Sequence, residues 1–460
     1  MSQHFDLLVI GSGPAGQKSA IAAAKLGKQV AIVDSHKMVG GVCINTGTIP
    51  SKTLREAILY LSGYRQRAFY GRDYTLKERI TAQDLAFRVQ RVVGREVQVI
   101  RHQLRRNGVA LFEGVARFQD PHIVAVETTD GEILLGADFV MIACGTRPAG
   151  SPAIPLDGTR VANSDQLLGL ATIPKTVTVV GAGVIGLEYA SMLCALNTEV
   201  TIIDARPQLL DFVDRELIDA LTYHMRDNGA TFRLGESVSA VEIDARERVV
   251  ARLESGKRVV SDALLYTVGR QGNADQLALD AVGLACDDRG RIGVNETFQT
   301  AVPHIYAAGD VIGFPSLASA SMEQGRLASC HMFGRPCVNA PHLYPYGIYT
   351  IPEISMCGRS EQELTAAKVP YEFGVSKFAE LAKGQMVGDD TGLLKLLFDP
   401  DARTLLGVHV IGDTAAEIVH IGQAVMAMGG TIEYFRDTVF NYPTFAEAYK
   451  VAALDGLNKL

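Results

Sequence analysis

The segment GGVCINTGTIPSK, residues 40–52, contains the side chains best suited to redox chemistry. Its thiol, Cys43, is followed five positions later by Thr48, where a dithiol site would need a second sulfur. The chain has seven cysteines, and no two of them form a Cys-x-x-Cys motif. This odd, scattered set predicts neither a disulfide framework nor a metal site. A redox site in this segment would therefore have a single thiol.

Two further sets of residues follow one shared plan, which indicates an internal duplication. In each copy an apolar run leads into Gly-x-Gly-x-x-Gly, then a helical stretch, then a second apolar run ending in an aspartate. The aspartate lies 18 residues after the last glycine in both copies. The members are Gly11, Gly13, Gly16 and Asp34 in the first copy, and Gly181, Gly183, Gly186 and Asp204 in the second.

This spacing predicts a dinucleotide site in each copy. The first glycine permits a tight turn, the second lets the backbone approach a pyrophosphate, and the third lets the helix pack on the strand. The phosphates then face the N-terminus of the helix, and the aspartate accepts hydrogen bonds from a ribose. One such motif often marks only a turn, whereas two matched copies are far more specific. Two sites suggest two different dinucleotides, a bound FAD and an exchangeable nicotinamide nucleotide, and hence hydride transfer.

The elements around these motifs predict an α/β chain of several domains. A length of 460 residues is too great for one core. The run HIYAAGDVIG predicts a strand ending near Asp310, which we expect to contact the sugar-alcohol chain of a cofactor. A simple turn cap is the alternative for this aspartate. After about residue 341, strand-like and helical runs indicate a further domain of mixed α and β character.

Charge and composition exclude several classes of partner. The formal net charge of −7 does not favour nucleic acid or an anionic lipid surface. No apolar run reaches the roughly 18 residues that a membrane span needs. The N-terminus lacks the basic and cleavage regions of a secretory signal, and the cysteines do not suggest a disulfide scaffold. We therefore expect a cytoplasmic protein without membrane or nucleic-acid partners.

Several motifs together resemble the FAD-dependent pyridine nucleotide–disulfide oxidoreductase family. The matching segments are GGVCINTGTIPSK, GVIGLEYAS, YAAGDVIG and a C-terminal PTFAEA. In that family a second cysteine stands at the position of Thr48, and a catalytic histidine stands at the position of Tyr442. The glutamate that holds this histidine is retained as Glu447, which the sequence alone also explains as a helix-start residue. The disulfide and its general base are thus both absent.

The sequence lacks both of these groups and keeps both glycine motifs. In this respect it resembles the soluble, Si-specific NAD(P) transhydrogenase branch of the family. Segments such as GDVIGFPSLASA, GIYTIPEIS and AAEIVHIGQA are similar to those of this branch. The resemblance implies reversible hydride transfer from NADPH to NAD+ through tightly bound FAD, with ping-pong kinetics. NAD and NADP are then substrates. It also implies a homodimer or larger homo-oligomer.

The resemblance also assigns individual residues. Lys52 is expected near the reactive edge of the flavin, paired with Glu188, and a purely structural ion pair is the alternative. Cys43 and Thr48 are expected beside the flavin ring, with Cys43 as a packing residue or, less favoured, a reactive thiol. Gly41 is expected to contact FAD. Glu188 and Gly269 are expected to contact the nicotinamide nucleotide.

Nucleotide choice depends on two neighbouring residues of opposite charge. Asp204 is the acid typical of NAD sites and should repel a 2′-phosphate. Arg206 has the chemistry to pair with that phosphate, although it could instead cap a turn. We predict that both nucleotides bind, with NAD(H) favoured.

The resemblance further implies a domain order, and two other functions stay open. Two Rossmann-like domains are expected, the FAD domain at 1–146 and 270–338 and the NAD(P) domain at 147–269. An α+β interface (dimerisation) domain is expected at 339–460. Loss of the disulfide also permits an NAD(P)H oxidase or diaphorase. A non-catalytic nucleotide-binding flavoprotein is the third hypothesis.

Overall fold

The structure, a computed structural model, divides the chain into two compact units, each built from three segments. The described residues are 3–35, 38–169, 171–336 and 343–460. The first unit comprises Met1–Leu54, Ala86–Ala149 and Gly269–Pro341, and the second comprises Arg55–Leu85, Gly150–Val268 and His342–Leu460. Cys337 and the predicted boundary at 338/339 lie outside the described residues.

Five parallel strands form the centre of the first unit. The N-terminal strand Gln3–Ile10 pairs with Val30–Asp34 on one side and Gly131–Ile142 on the other. Ala110–Glu113 and Ile305–Ala307 extend the set at its two edges. Their apolar runs are buried because a parallel sheet of this kind is covered on both faces. The glycine motif follows the central strand, and Asp34 ends its neighbour.

The remaining elements of this unit surround the parallel strands. Two antiparallel strands extend the sheet through Gly131–Ile142, and a two-stranded ribbon lies apart from it. The further strands are Val115–Asp120, Ile123–Thr128, Thr146–Pro148 and Arg270–Gly272. The helices are Pro14–Lys25, Gly41–Asn45 and Ala318–Met332, together with Thr48–Leu61 and Ala82–Arg106, which continue across the division between units.

The second unit repeats the parallel arrangement. Thr176–Val180 is central and pairs with Glu199–Asp204 and Ala263–Tyr266. Ala230–Leu234 and Val161–Asn163 occupy the edges. As in the first unit, the glycine motif follows the central strand and the aspartate ends its neighbour. The duplication read from the sequence is thus a duplication of topology.

Two antiparallel sheets complete the second unit. A three-stranded sheet contains Val238–Ile243, Val249–Leu253 and Arg258–Ser261. The five-stranded sheet near the C-terminus has the order Tyr346–Ile348, Glu353–Gly358, Leu405–Gly412, Leu393–Phe398 and Glu372–Lys377. The helices are Arg67–Tyr70, Val184–Ala195, Arg215–Asp227, Glu361–Ala366, Ala382–Val387, Ala415–Ala427, Glu433–Asp437 and Glu447–Leu457. The prediction of two Rossmann-like sheets followed by an α+β region is confirmed.

Within the part of the chain that the structure describes, no helix has both the length and the apolar character needed to cross a bilayer.

Candidate functional site

The first glycine motif has the geometry that a pyrophosphate requires. Gly11 has φ +104°, and a Cβ placed there would lie 2.3 Å from the carbonyl oxygen of Ala143. A Cβ at Gly16 would lie 1.9 Å from the carbonyl oxygen of Gly11, so the helix can approach the strand only with glycine. By contrast, apart from its chain neighbours, no residue that the structure describes lies within 4 Å of a Cβ at Gly13. The open space at Gly13 therefore lies at the N-terminus of helix Pro14–Lys25, where phosphates bind well.

Asp34 is fixed by neutral donors at the end of its strand. Its carboxylate accepts the backbone N–H groups of Ser12 at 2.6 Å and Ser35 at 2.7 Å. The hydroxyl of Ser12 donates a further short hydrogen bond to it and accepts the N–H of Gly40 at 2.8 Å. Burial raises the pKa of Asp34, and these hydrogen bonds oppose the rise. Ser12 is a site residue that sequence reasoning missed, although it lies between the first two glycines.

A cavity of about 390 Å³ connects this motif with the thiol segment. It is lined by the glycine loop and Asp34 at one end and by Cys43, Thr48 and Asp310 further along. Gly41 also lines it, with φ +64°, and a Cβ there would lie 2.9 Å from Cα of Gly13. The structure thus brings together most of the residues predicted for FAD within the first unit. The cavity, the open glycine and the acid fit a dinucleotide.

The thiol segment places Cys43 next to Thr48. Cys43 lies in helix Gly41–Asn45, and Thr48 begins helix Thr48–Leu61 with Lys52 one turn later. Burial raises the pKa of Cys43; the hydrogen bond from Thr48 and the charge of Lys52 lower it, whereas Asp310 raises it. Cys43 is a free thiol, as are the other five cysteines that the structure describes.

Asp310 belongs to a small polar group at the same cavity. The hydroxyl of Thr146 donates to its carboxylate at 3.4 Å, and Arg270 donates to that hydroxyl at 2.7 Å. Burial raises the pKa of Asp310, and Arg270 lowers it. The preceding Gly309 donates its N–H to Gln324 at 2.9 Å. Thr146, Arg270 and Gln324 had no local sequence signal because they come from distant parts of the chain.

The second glycine motif repeats the geometry of the first. Gly181 has φ +102°, and a Cβ there would lie 3.0 Å from the backbone of Thr267. A Cβ at Gly186 would lie 1.9 Å from the carbonyl oxygen of Gly181, whereas the space at Gly183 is open. Gly269 has φ +80° and belongs to the first unit, where it accepts the N–H of Ala149 at 3.1 Å.

At the second aspartate the two copies differ, because Arg206 binds it. Arg206 donates from its backbone N–H and its Nε to one carboxylate oxygen of Asp204, at 2.8 and 2.9 Å. Its Nη2 donates to the other oxygen at 2.8 Å, which also accepts the N–H of Ala182 at 2.6 Å. Burial raises the pKa of Asp204, but the hydrogen bonds outweigh it and the pKa is lowered.

Glu188 is a buried residue of helix Val184–Ala195. Its carboxylate accepts the backbone N–H of Tyr349 at 2.9 Å, a contact across 161 positions that the sequence did not indicate. Lys52 belongs to the first unit and Glu188 to the second, so their predicted pairing stays a prediction.

The two C-terminal departures from the family pattern lie in contrasting environments. Tyr442 is 74% exposed. Glu447 begins helix Glu447–Leu457, and one of its carboxylate oxygens is buried without a hydrogen-bond partner among the residues described. No hydrogen bond connects the side chains of these two described residues.

One acidic cluster has the spacing of metal ligands but surrounds a lysine. Oxygens of Asp214, Glu216 and Glu361 lie within 4.8 Å of one another. The buried ammonium group of Lys395 lies 3.2 Å from Asp214 and 3.0 Å from Glu216, and it also contacts Glu361. This cluster therefore forms a buried ion-pair network.

Comparison with known proteins identifies the family. The model of the pyridine nucleotide-disulphide oxidoreductase family matches residues 5–325, and the model of its dimerisation domain matches residues 344–453. The chain belongs to this family. The resemblance read from the motifs is thereby confirmed.

Two relatives that are similar to this chain over its full length carry the same name. The soluble pyridine nucleotide transhydrogenase of Mycobacterium tuberculosis (strain ATCC 25177 / H37Ra) is 54% identical over 460 residues, which is 100% of this chain and 98% of that protein. The soluble pyridine nucleotide transhydrogenase of Serratia proteamaculans is 46% identical over 467 residues, covering 100% of both chains.

Two solved structures share the fold of this chain. The HOCl-induced flavoprotein disulfide reductase RclA from Escherichia coli superimposes with a TM-score of 0.88 at 25% identity, covering 98% of this chain and 99% of that chain. LpdA from Mycobacterium tuberculosis superimposes with a TM-score of 0.90 at 24% identity and the same coverage, which demonstrates a common fold.

Proposed function

We propose that this chain is an FAD-dependent transhydrogenase that transfers hydride from NADPH to NAD+, and in reverse from NADH to NADP+. The observation that carries the proposal is the contact between Cys43 and Thr48 beside the first cofactor cavity. With a hydroxyl in place of a second sulfur, no disulfide can form there to accept electrons. The relatives named soluble pyridine nucleotide transhydrogenase support this conclusion.

The first glycine motif and its surroundings would hold FAD. The pyrophosphate would occupy the open space at Gly13, with Asp34 accepting hydrogen bonds from the ribose hydroxyls. Asp310 would bind the sugar-alcohol chain, and Gly41 would allow close approach of the cofactor. Bound FAD would supply the carrier that accepts hydride from one nicotinamide nucleotide and returns it to another.

The side chains of the thiol segment would act by position and charge. Lys52 would place a cation near the flavin ring, with Glu188 as its proposed partner, and so favour the anionic reduced form. Cys43 and Thr48 would fill space beside the ring. Hydride transfer between two rings needs no general acid or base, so alignment and exclusion of water carry the catalysis.

The second glycine motif would bind both nicotinamide nucleotides in turn. One shared site implies that NADP+ leaves before NAD+ enters, which gives parallel initial-rate lines. Asp204 suits the 2′-hydroxyl of NAD(H), so we expect NAD(H) to be favoured over NADP(H). Gly269 is proposed as a further contact of this nucleotide.

Anaerobic mixing tests this function. We expect NADPH to bleach the flavin absorbance and a subsequent addition of NAD+ to restore it. Failure of NADPH and NADH to bleach the flavin would indicate a non-catalytic flavoprotein. Bleaching that only oxygen, quinones or dyes reverse would indicate an oxidase or diaphorase. The Cys43→Ser variant should retain the colour cycle if this thiol only packs, and loss of the cycle would assign it a catalytic role.

Three finer features complete the proposal. The chain would divide into an FAD domain (1–146 and 270–338), an NAD(P) domain (147–269) and an interface domain (339–460). It would act in the cytoplasm as a homodimer or larger homo-oligomer, for which the matched dimerisation domain and exposed apolar side chains near the C-terminus give support. Sedimentation of the holoprotein at micromolar concentration tests the assembly, and a monomer mass would contradict it.

A further inference from the structure

Arg206 and the backbone occupy every hydrogen-bonding position of Asp204. One oxygen accepts two bonds from Arg206, and the other accepts one bond from Arg206 and one from Ala182. A carboxylate offers about four acceptor positions. A ribose hydroxyl can therefore bond to Asp204 only after the guanidinium group has moved.

The first copy of the motif is an internal control for this arrangement. Asp34 accepts a backbone N–H from Ser12 at 2.6 Å, as Asp204 does from Ala182 at the same distance. Asp34 receives its other hydrogen bonds from neutral groups, namely the hydroxyl of Ser12, the N–H of Ser35 and, at 3.5 Å, the hydroxyl of Ser35. Hydroxyl hydrogens rotate freely, so these groups can make room for a ribose hydroxyl without displacing a charge. The guanidinium on the acid is thus the feature that distinguishes the second site.

Arg206 is the movable member of the pair. Its side chain is 52% exposed, whereas that of Asp204 is 8% exposed. Asp204 contacts the Nε and Nη2 edge of the guanidinium. The Nη1 edge makes no hydrogen bond among the described residues, and it has donors in the planar geometry that phosphate prefers.

We propose that Arg206 is an exchangeable cation that lets one site accept nicotinamide dinucleotides both with and without a 2′-phosphate. When a 2′-phosphate is present, the guanidinium stays between it and Asp204 and neutralises their repulsion. When the 2′-position carries a hydroxyl, the ribose replaces the guanidinium on Asp204 and Arg206 turns towards solvent. This inference rests on the proposed function, in which both nucleotides use the second glycine motif.

Calorimetric titration of the FAD-loaded protein with nucleotide fragments tests the inference without hydride transfer. The probes are adenosine 2′,5′-bisphosphate, which carries the 2′-phosphate, and 5′-AMP, which lacks it. In the Arg206→Ala variant we expect the affinity for the bisphosphate to fall about 10- to 100-fold, the usual range for a charged hydrogen bond. The affinity for 5′-AMP should stay the same or rise, because Asp204 is then free to accept the ribose.

The Asp204→Asn substitution distinguishes an exchangeable Arg206 from an Arg206 that only forms a structural ion pair with Asp204. We expect this substitution to change bisphosphate affinity little while Arg206 is present, because the guanidinium already neutralises the acid. In the Arg206→Ala background, it should restore part of the lost affinity by removing the repulsion. Additive effects of the two substitutions would overturn the exchange.

Matched controls make the test specific. Arg246→Ala removes the same charge from an exposed turn of the same unit and should leave both affinities unchanged. Adenosine 3′,5′-bisphosphate carries the same charge in a different position and should not respond to Arg206→Ala. The inference is overturned if Arg206→Ala leaves the ratio of the two affinities unchanged, if Arg246→Ala changes it equally, or if neither probe binds the wild type at millimolar concentration.

The outcomes also separate this inference from the proposed function. A protein whose flavin NADPH does not bleach, but whose bisphosphate affinity depends on Arg206, would refute transhydrogenation and retain the exchange. A protein that completes the colour cycle, but whose affinities do not change in Arg206→Ala, would support transhydrogenation and refute the exchange.

Discussion

The side chain of Thr48 is hydrogen-bonded to the thiol of Cys43. A hydroxyl thus stands where a bonded sulfur would have to stand, at the wall of the first cofactor cavity. Burial raises the pKa of Cys43, and the hydrogen bond from Thr48 offsets only part of the rise. The thiol is therefore protonated at neutral pH and a poor nucleophile, which favours a packing role over a reactive one.

The Thr48→Cys substitution should create the missing disulfide. The two side chains already lie within hydrogen-bonding reach, so mild oxidation should join the introduced sulfur to Cys43. Both thiols should then be absent from a titration of the unfolded protein and should return after reduction. Transhydrogenation should slow in the oxidised variant, because the disulfide competes for the electrons.

Thr48→Ser is the matched control for this change. It keeps the hydroxyl and adds no sulfur, so its thiol count and colour cycle should equal those of the wild type. If the oxidised Thr48→Cys variant keeps both thiols, the side chains are not oriented for bonding.

The sequence was most informative where chemistry depends on backbone conformation. The glycine spacing predicted both turns and the strands that end at Asp34 and Asp204, because only glycine tolerates the close contacts found at Gly16 and Gly186. Local spacing also predicted that these aspartates lie beside the turns. The apolar runs correctly indicated the strands that flank both glycine turns, and the match to the family model confirmed the family.

Contacts between distant segments were beyond prediction from the sequence. Glu188 binds the backbone of Tyr349, and no local pattern connects positions so far apart. Lys395 lies in strand Leu393–Phe398, and nothing in the sequence around it indicated that its side chain would be wholly buried among carboxylates. For Arg206 the sequence left a turn cap and a phosphate ligand open, because the orientation of a long side chain depends on its neighbours in space.

Asp34→Asn should weaken retention of FAD. The amide cannot accept all the hydrogen bonds that the carboxylate receives from Ser12 and Ser35, and it loses the charge that ribose hydroxyls favour. Loss of one charged hydrogen bond corresponds to about 10- to 100-fold in the dissociation constant. Ultrafiltration and the absorbance of released FAD measure this. The exposed Asp130→Asn should behave as the wild type, and equal retention by both variants would contradict the role of Asp34.

Lys395→Met should destabilise the second unit strongly. The substitution removes the ammonium group from a site where its side chain is 0% exposed, leaving Asp214 buried beside two further carboxylates. Removing one partner of a buried ion pair typically costs about 3–5 kcal/mol. Urea unfolding measures the loss. Lys377→Met, at an exposed position of the same sheet, should change the free energy of unfolding by less than about 0.5 kcal/mol.

His409 should make the stability of this unit sensitive to acid. The imidazole is wholly buried; its Nε2 lies 2.8 Å from the carbonyl oxygen of Arg359 and donates to it, whereas Nδ1 has no partner among the described residues. Burial lowers the pKa of His409 below 6.5; Asp214 raises it, and Lys395 lowers it further. The imidazole of His409 therefore binds a proton more readily in the unfolded chain than in the folded chain. Stability should fall as the pH decreases below 6.5, by up to about 1.4 kcal/mol per pH unit for this proton.

His409→Gln tests this dependence, because the amide can still donate to the carbonyl oxygen of Arg359 but cannot take up a proton. Urea unfolding between pH 7 and pH 5 should give a shallower loss of stability for this variant than for the wild type. His102→Gln, which removes an exposed imidazole, should keep the slope of the wild type. A wild-type slope in His409→Gln would show that other groups cause the acid sensitivity. A shallower slope with unchanged stability at pH 7 would assign the acid sensitivity to the buried imidazole. The wild type and the variant would then differ only in the proton that residue 409 can bind.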